Sequence, residues 1–177
     1  YVTHGLLDAG AADMLATTGD WVRASQRDEA FAPTGCPPGG WGWSMPSGWP
    51  DTDDTSGGVT TLAGLGAGPD DPSLARGVAW LRSMQNRNGS WGCFARDAGV
   101  SMDQPCSVMT AHAVIALRAA GLSTMDAPVA KAVRWFTRAQ RPDGAFANVW
   151  FRGLTCGTAR VADALGRLGL ADTPTAH

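Results

Sequence analysis

The segment T-A-H-A-V-I-A-L-R-A-A-G-L at residues 110–122 is the clearest copy of a unit that recurs along the chain. Every copy opens with Thr and continues with small or apolar residues, and the other copies begin at Thr3, Thr55 and Thr158. Repetition about every 50 residues is typical of solenoids and toroids, whose units bury their faces only against neighbouring units. These segments, here named the A helices, carry so little charge that we expect them to be buried on most sides.

The limits of the A helices follow from capping chemistry. A Thr hydroxyl can accept a hydrogen bond from an orphan backbone N–H, so the opening Thr is predicted to be the N-cap. Glycine readily adopts the left-handed conformation that ends a helix. It stands at the expected stop in three copies, at Gly66, Gly121 and Gly169.

A second unit alternates with the first and is predicted to form an amphipathic outer helix, here named a B helix. Its copies end in an aromatic residue followed five positions later by Gln: Trp21 to Gln26, Trp80 to Gln85, and Trp135 to Gln140. The last two copies continue as Q-x3-G-x-aromatic through Trp91 and Phe146, a motif to which we assign a structural role. The order is A-B-A-B-A-B-A without a strand, which predicts an all-α fold of inner and outer helices, an α/α toroid.

The length sets how much of such a ring this sequence can supply. A closed ring of six helix pairs at about 50 residues each needs roughly 300 residues, and the chain has 177. We therefore interpret residues 1–177 as a single, partial α/α-toroid domain. Either the rest of the ring lies outside this sequence, or a second domain or another chain completes it.

Composition narrows the function classes. The 14 Lys and Arg residues against 16 Asp and Glu give no electrostatic reason to expect a nucleic-acid partner. Eight Trp against one Tyr is unusual, and aromatic walls around a cation are one use for indoles. The four Cys form no CxxC pair or zinc-finger spacing, which indicates reduced thiols and a cytoplasmic protein.

The topology predicts where chemistry can occur, because all A helices of a toroid begin at the same end. The loop before Thr55 reads G-G-W-G-W-S-M-P-S-G-W-P-D-T-D-D-T and holds Asp51, Asp53 and Asp54. Like charges this close resist ionising together, so one pKa is expected to rise, and a carboxyl that keeps its proton can act as a general acid. An Asp-rich helix cap or a surface cation site is the alternative reading of the same residues.

The G-G-W segment before P-D-T-D-D-T, followed by repeated Q-x3-G-x-W, resembles the squalene–hopene cyclase family of protonation-initiated terpene cyclases. The similarity runs from Thr3 to Leu170. It implies an enzyme that binds a linear isoprenoid, squalene or a shorter prenyl chain, and protonates a terminal alkene to start a carbocation cyclisation. The proton is the only reagent, so no cofactor is expected. No second acidic motif is visible, so no metal site is predicted.

The resemblance also implies roles for individual residues. Asp53 corresponds to the family's proton donor, flanked by Asp51 and Asp54. His112 corresponds to a histidine that supports the donor by hydrogen bonding, and its place near the start of the next A helix puts it on the same rim.

Three aromatic residues correspond to cavity-lining rings of the family. These are Trp43, Phe94 and Trp150.

Since the substrates of such enzymes reside in membranes, peripheral attachment to the inner face of the membrane is left open.

Two other readings of the sequence stay open. A truncated toroid could serve as a non-catalytic binding or scaffold module, a reading motivated by the incomplete repeats and by Val108, where the family usually carries Asp. A relative of the protein prenyltransferase β-subunit would need zinc ligands, and Cys93, Asp97 and His112 lack a convincing spacing for them.

Overall fold

The computed structural model describes residues 2–44 and 47–171, and within them the chain is helical. Seven α-helices follow one another: α1 Val2–Asp8, α2 Thr18–Ser25, α3 Thr52–Gly64, α4 Pro72–Met84, α5 Ser107–Ala119, α6 Ala127–Ala139 and α7 Thr155–Arg167. Short 3₁₀ turns occur at Ala12–Leu15 and Ser101–Asp103. In the described ranges, extended pairing is limited to one isolated bridge between Phe31 and Cys36. The outer limits of the predicted domain, residues 1 and 177, lie outside the described residues.

The helices form an inner and an outer layer. The inner helices α1, α3, α5 and α7 pack side by side in chain order, whereas α4 packs on α3 and α6 packs on α5 from outside. Helix α5 is buried at every position from Ser107 to Leu117, because it has neighbours on nearly all sides. The predicted alternation of inner and outer helices is confirmed. Burial on most sides holds for α5, whereas α7 is buried along one face and the residues described in α1 are not buried, because each of these two helices has an inner neighbour on one side only.

The predicted N-caps of the inner helices are wrong. Helices α3, α5 and α7 begin three residues before the predicted Thr, and the caps are Asp51, Cys106 and Leu154. The Thr hydroxyls bond to loops instead of capping helices. Each accepts a backbone N–H from the preceding loop at 3.0 Å: Trp41 to Thr55, Trp91 to Thr110, and Phe146 to Thr158.

The Q-x3-G-x-aromatic motif joins each outer helix to the next. Gln85 Nε2 donates to the carbonyl of Pro128 in the first turn of α6 and to that of Gly89, each at 2.9 Å. Trp91 is fully buried, and its indole N–H donates to Leu81 O. These contacts connect neighbouring units, so the motif's predicted structural role agrees with its geometry.

A further copy of this motif is present that the sequence spacing conceals. Gln26 Nε2 donates to Gly39 O and to Ser73 O in the first turn of α4, each at 2.9 Å. Trp41 then repeats the Trp91 contact, because its indole N–H donates to Val22 O. An insertion between Gln26 and Gly39 hides this copy from a search at fixed spacing.

Candidate active site

An open hollow of about 510 Å³ lies where the loops before α3, α5 and α7 meet. Six of the seven predicted site residues line it together with three apolar or sulfur-bearing side chains: Asp51, Asp53, Asp54, Trp43, Phe94, Trp150, Cys93, Met102 and Met109. The seventh, His112, does not line the hollow but contacts Asp53, which does. The fold therefore gathers residues from three loops about 50 positions apart, as the repeat topology predicts.

Asp53 and His112 form a direct contact between neighbouring inner helices. Asp53 lies in the first turn of α3, His112 lies in the second turn of α5, and His112 Nδ1 is 2.7 Å from Asp53 Oδ1. The imidazole is 7 % exposed and the Asp53 side chain 34 %. A buried ring thus holds one carboxyl oxygen in place while part of the carboxyl remains accessible from the hollow.

The proton affinity of the Asp51 carboxyl is changed by its burial. It is the N-cap of α3, only 3 % exposed, and its Oδ1 accepts the N–H of Asp54 at 2.8 Å. Burial, followed by the negative charge of Asp54, raises the pKa of Asp51 to about 9. A raised pKa, expected for one member of the acidic trio, is thus found at Asp51, where burial is its largest cause. The roles predicted for Asp53, Asp54 and His112 stay predictions.

Asp53 also faces a second cavity, of about 300 Å³, on the inner side of the helices. Its walls are polar where the hollow is aromatic, and they include Ser56, Thr60 and Arg160 besides His112. Asp53 and Asp54 line both cavities, so they lie between the polar cavity and the aromatic hollow.

Phe94 is the centre of an aromatic cluster at the mouth. It makes edge-to-face contacts with Trp43, Trp49 and Trp150 at centroid distances of 6.0, 5.8 and 5.8 Å. Trp43, which is 64 % exposed, also stacks on Trp49 at 6.3 Å. Ring faces attract desolvated cations by about 0.5–2 kcal/mol each, so this wall could steer positive charge.

Trp49 is a member of this cluster that the sequence reasoning missed. It stands directly before Pro50 and the acidic trio. Its place in the G-W-P segment next to the acidic motif was the available signal. Trp41, two residues before Trp43, is instead buried and packs against Gly58 and Gly77.

The zinc ligands considered for a prenyltransferase-like site are not gathered together. Asp97 pairs with Arg87 and Arg96, whereas His112 contacts Asp53. Burial raises the pKa of the Cys93 thiol, which disfavours the thiolate that zinc requires. Among the residues that the structure describes, no three His, Cys, Asp or Glu side chains are placed to hold a metal ion.

Membrane attachment stays a prediction. Across residues 2–44 and 47–171, every helix is too short or too polar to cross a bilayer.

Inner helices covered by outer helices in an α/α toroid are the fold of type II terpene cyclases. The fold superposes on the type II terpene cyclase MstE from Scytonema, in complex with geranylgeranyl dihydroxybenzoate, with a TM-score of 0.71 at 19 % identity. The match covers 94 % of this chain and 46 % of MstE. The family model of the squalene–hopene cyclase C-terminal domain matches residues 5–176, so the chain belongs to that family.

Two curated relatives illustrate the range of the family. The squalene–hopene cyclase of Alicyclobacillus acidocaldarius is 28 % identical over 179 residues, covering 89 % of this chain and 28 % of that enzyme. The drimenyl diphosphate synthase of Streptantibioticus cattleyicolor is 39 % identical over 134 residues, covering 67 % of this chain and 24 % of the synthase. The chain thus spans less than a third of the length of these relatives.

Proposed function

We propose that this chain carries the acid site of a terpene cyclase that protonates a terminal alkene of a linear polyprenyl substrate. The observation that supports this most is the 2.7 Å contact between His112 and Asp53 at the edge of an aromatic hollow. The substrate is squalene or a shorter prenyl chain. The 39 % identity to a drimenyl diphosphate synthase makes a short prenyl diphosphate the first compound to test.

The proposed chemistry follows from the surroundings of Asp53. We assign the ring proton of His112 to Nδ1, which then donates to Oδ1 and leaves the acid proton of Asp53 on its other oxygen. Transfer of this proton to the less substituted alkene carbon leaves a tertiary cation and an Asp53 carboxylate. That carboxylate is stabilised by the imidazole that contacts it and by the positive end of α3.

The neighbouring carboxyls and rings complete the proposed site. Asp51, kept neutral by burial, adds no charge to oppose the conjugate base of Asp53. Trp43, Phe94 and Trp150 line the same hollow, and their ring faces stabilise the cation as it forms and moves. No cofactor is required, because the step consumes only a proton.

A product assay tests the proposal. The protein is incubated with squalene, geranylgeranyl diphosphate and farnesyl diphosphate, with and without Mg²⁺, and products are identified by gas chromatography and mass spectrometry after phosphatase treatment. Asp53→Asn removes the acid at nearly constant shape, so we expect cyclic product to fall by at least about 10²-fold. Asp70→Asn, a surface change in the loop before α4, should leave turnover unaltered.

The same assay judges the scaffold alternative. A folded protein that yields no cyclic product from any of these substrates would contradict the cyclase proposal and favour a non-catalytic binding module. Equal product from wild type and Asp53→Asn would remove Asp53 from the role of acid.

A further inference from the structure

We propose that Asp103 is a positioning residue that fixes Phe94, and through it the aromatic wall, relative to the acid helix α3. The proposal rests on the proposed function only for its effect on products. Asp103 ends the 3₁₀ turn Ser101–Asp103 in the loop between α4 and α5 and is 4 % exposed.

The carboxylate of Asp103 binds three successive backbone N–H groups. Oδ1 accepts from Cys93 and from Phe94, the latter at 3.0 Å, and Oδ2 accepts from Ala95 at 2.7 Å. Successive N–H groups that converge in this way form an anion-binding nest. A buried carboxylate is tolerated only when hydrogen bonds compensate its lost hydration. The buried carboxylate of Asp103 and the conformation of residues 93–95 therefore depend on each other.

The same loop is bonded on its other side to the start of α3. Thr52, the residue before Asp53, donates its backbone N–H to Cys93 O and its hydroxyl to Gly92 O, each at 2.8 Å. At Gly92, an added Cβ would lie 2.6 Å from Asp103 Oδ1, so the loop backbone fits closely between Asp103 and Thr52. Asp103 and Thr52 together set the distance from the Phe94 backbone to the acid.

The consequence for chemistry follows from the central place of Phe94. Its ring contacts Trp43, Trp49 and Trp150, so a shift of residue 94 removes the common contact of all three. A cation rests where ring faces stabilise it, and displacements of about 1 Å are enough to alter reactivity. Asp103 therefore determines how far the cyclisation proceeds before the cation is quenched, without touching the substrate.

The first test follows the bound amides themselves by hydrogen exchange and mass spectrometry of the peptide spanning residues 92–96. In Asp103→Ala we expect these amides to exchange at least about tenfold faster, because the N–H groups of residues 93–95 no longer have to break hydrogen bonds to a carboxylate before they exchange. Asp103→Asn keeps one carbonyl acceptor and should fall between. Asp71→Ala, which removes a similar carboxylate cap from α4 far from the hollow, should leave this peptide protected.

Exchange of the α5 amides reports whether each variant is folded. Unchanged exchange at residues 92–96 in a folded Asp103→Ala variant would overturn the proposal.

The second test compares products from the best substrate. We expect Asp103→Ala to shift the product ratio at least about threefold towards partially cyclised compounds, with Asp103→Asn partly restoring the wild-type ratio and Asp71→Ala keeping it. An active wild type whose product ratio is the same in Asp103→Ala would refute the role of Asp103. An inactive wild type would count against the proposed function, and the exchange test then decides alone whether Asp103 fixes the loop.

Discussion

Asp51 and Asp53 are two positions apart and chemically identical, yet the fold places them in opposite environments. Asp51 caps α3 beneath the loop of Cys93, and its backbone N–H donates to Trp41 O. Asp53, two residues later in the first turn of α3, contacts His112 and lines the hollow. Depth of burial separates the two carboxyls, because Asp51 is 3 % exposed and the Asp53 side chain 34 %.

The raised pKa of Asp51 makes stability depend on pH. Its pKa lies at 3.8 in an unfolded chain and about 9 in the folded one, so the folded state binds more protons between these values. Stability contributed by the neutral form is present at low pH and is lost as the pH rises through this window. Burial of Asp51 thus costs most in alkaline solution.

Replacing this carboxyl by an amide should remove the dependence. Asp51→Asn keeps an acceptor for the Asp54 N–H but cannot ionise, and Asn is as good an N-cap as Asp. We expect its Tm to exceed that of wild type by roughly several degrees at pH 8 and by less at pH 5. Thermal unfolding followed by circular dichroism measures both, and parallel pH profiles of the two proteins would contradict a neutral Asp51.

At the scale of helices, the Thr residues that open the repeat act differently from their sequence-based prediction. Thr110 lies inside the first turns of α5, and its hydroxyl receives the N–H of Trp91 at 3.0 Å. Propensity alone favours Thr as a cap. It cannot reveal that a neighbouring loop supplies the N–H, because that contact crosses 19 residues.

Thr110→Val tests this cross-link with little change of volume. The buried N–H of Trp91 would lose its acceptor, so we expect the free energy of unfolding to fall by about 1–3 kcal/mol. Thr137→Val on the exposed face of α6 serves as the matched control, with an expected change within about 0.5 kcal/mol. Urea unfolding compares the two. Equal effects would show that the Thr110 hydroxyl is not a special contact.

For the whole molecule, the sequence predicts the ring of helices well, because hydrophobic repeats and glycine stops are local signals. It also predicts that the loops before α3, α5 and α7 share a rim, since that follows from helix direction. The hidden motif copy at Gln26 and the loop contacts of Asp103 depend on partners that local pattern does not encode. Which aspartate of the trio is neutral likewise depends on burial, which only the packed structure provides.

The mouth of the hollow is apolar and open in this chain. Trp43, Trp49 and Trp150 are each at least 40 % exposed there. Large exposed rings that cluster in this way usually mark an interaction or ligand site. A second domain or chain that completes the ring around this mouth stays a prediction, in keeping with the chain's span of less than a third of its curated relatives.

The most direct measurement is the conversion of a linear polyprenyl substrate in D₂O, with the cyclic product analysed by NMR and mass spectrometry. The carboxyl proton of Asp53 exchanges with solvent, so the proposed mechanism predicts one deuteron on the ring carbon next to the gem-dimethyl carbon. A cyclic product without deuterium at that carbon would show that the reaction does not begin with protonation of the terminal alkene.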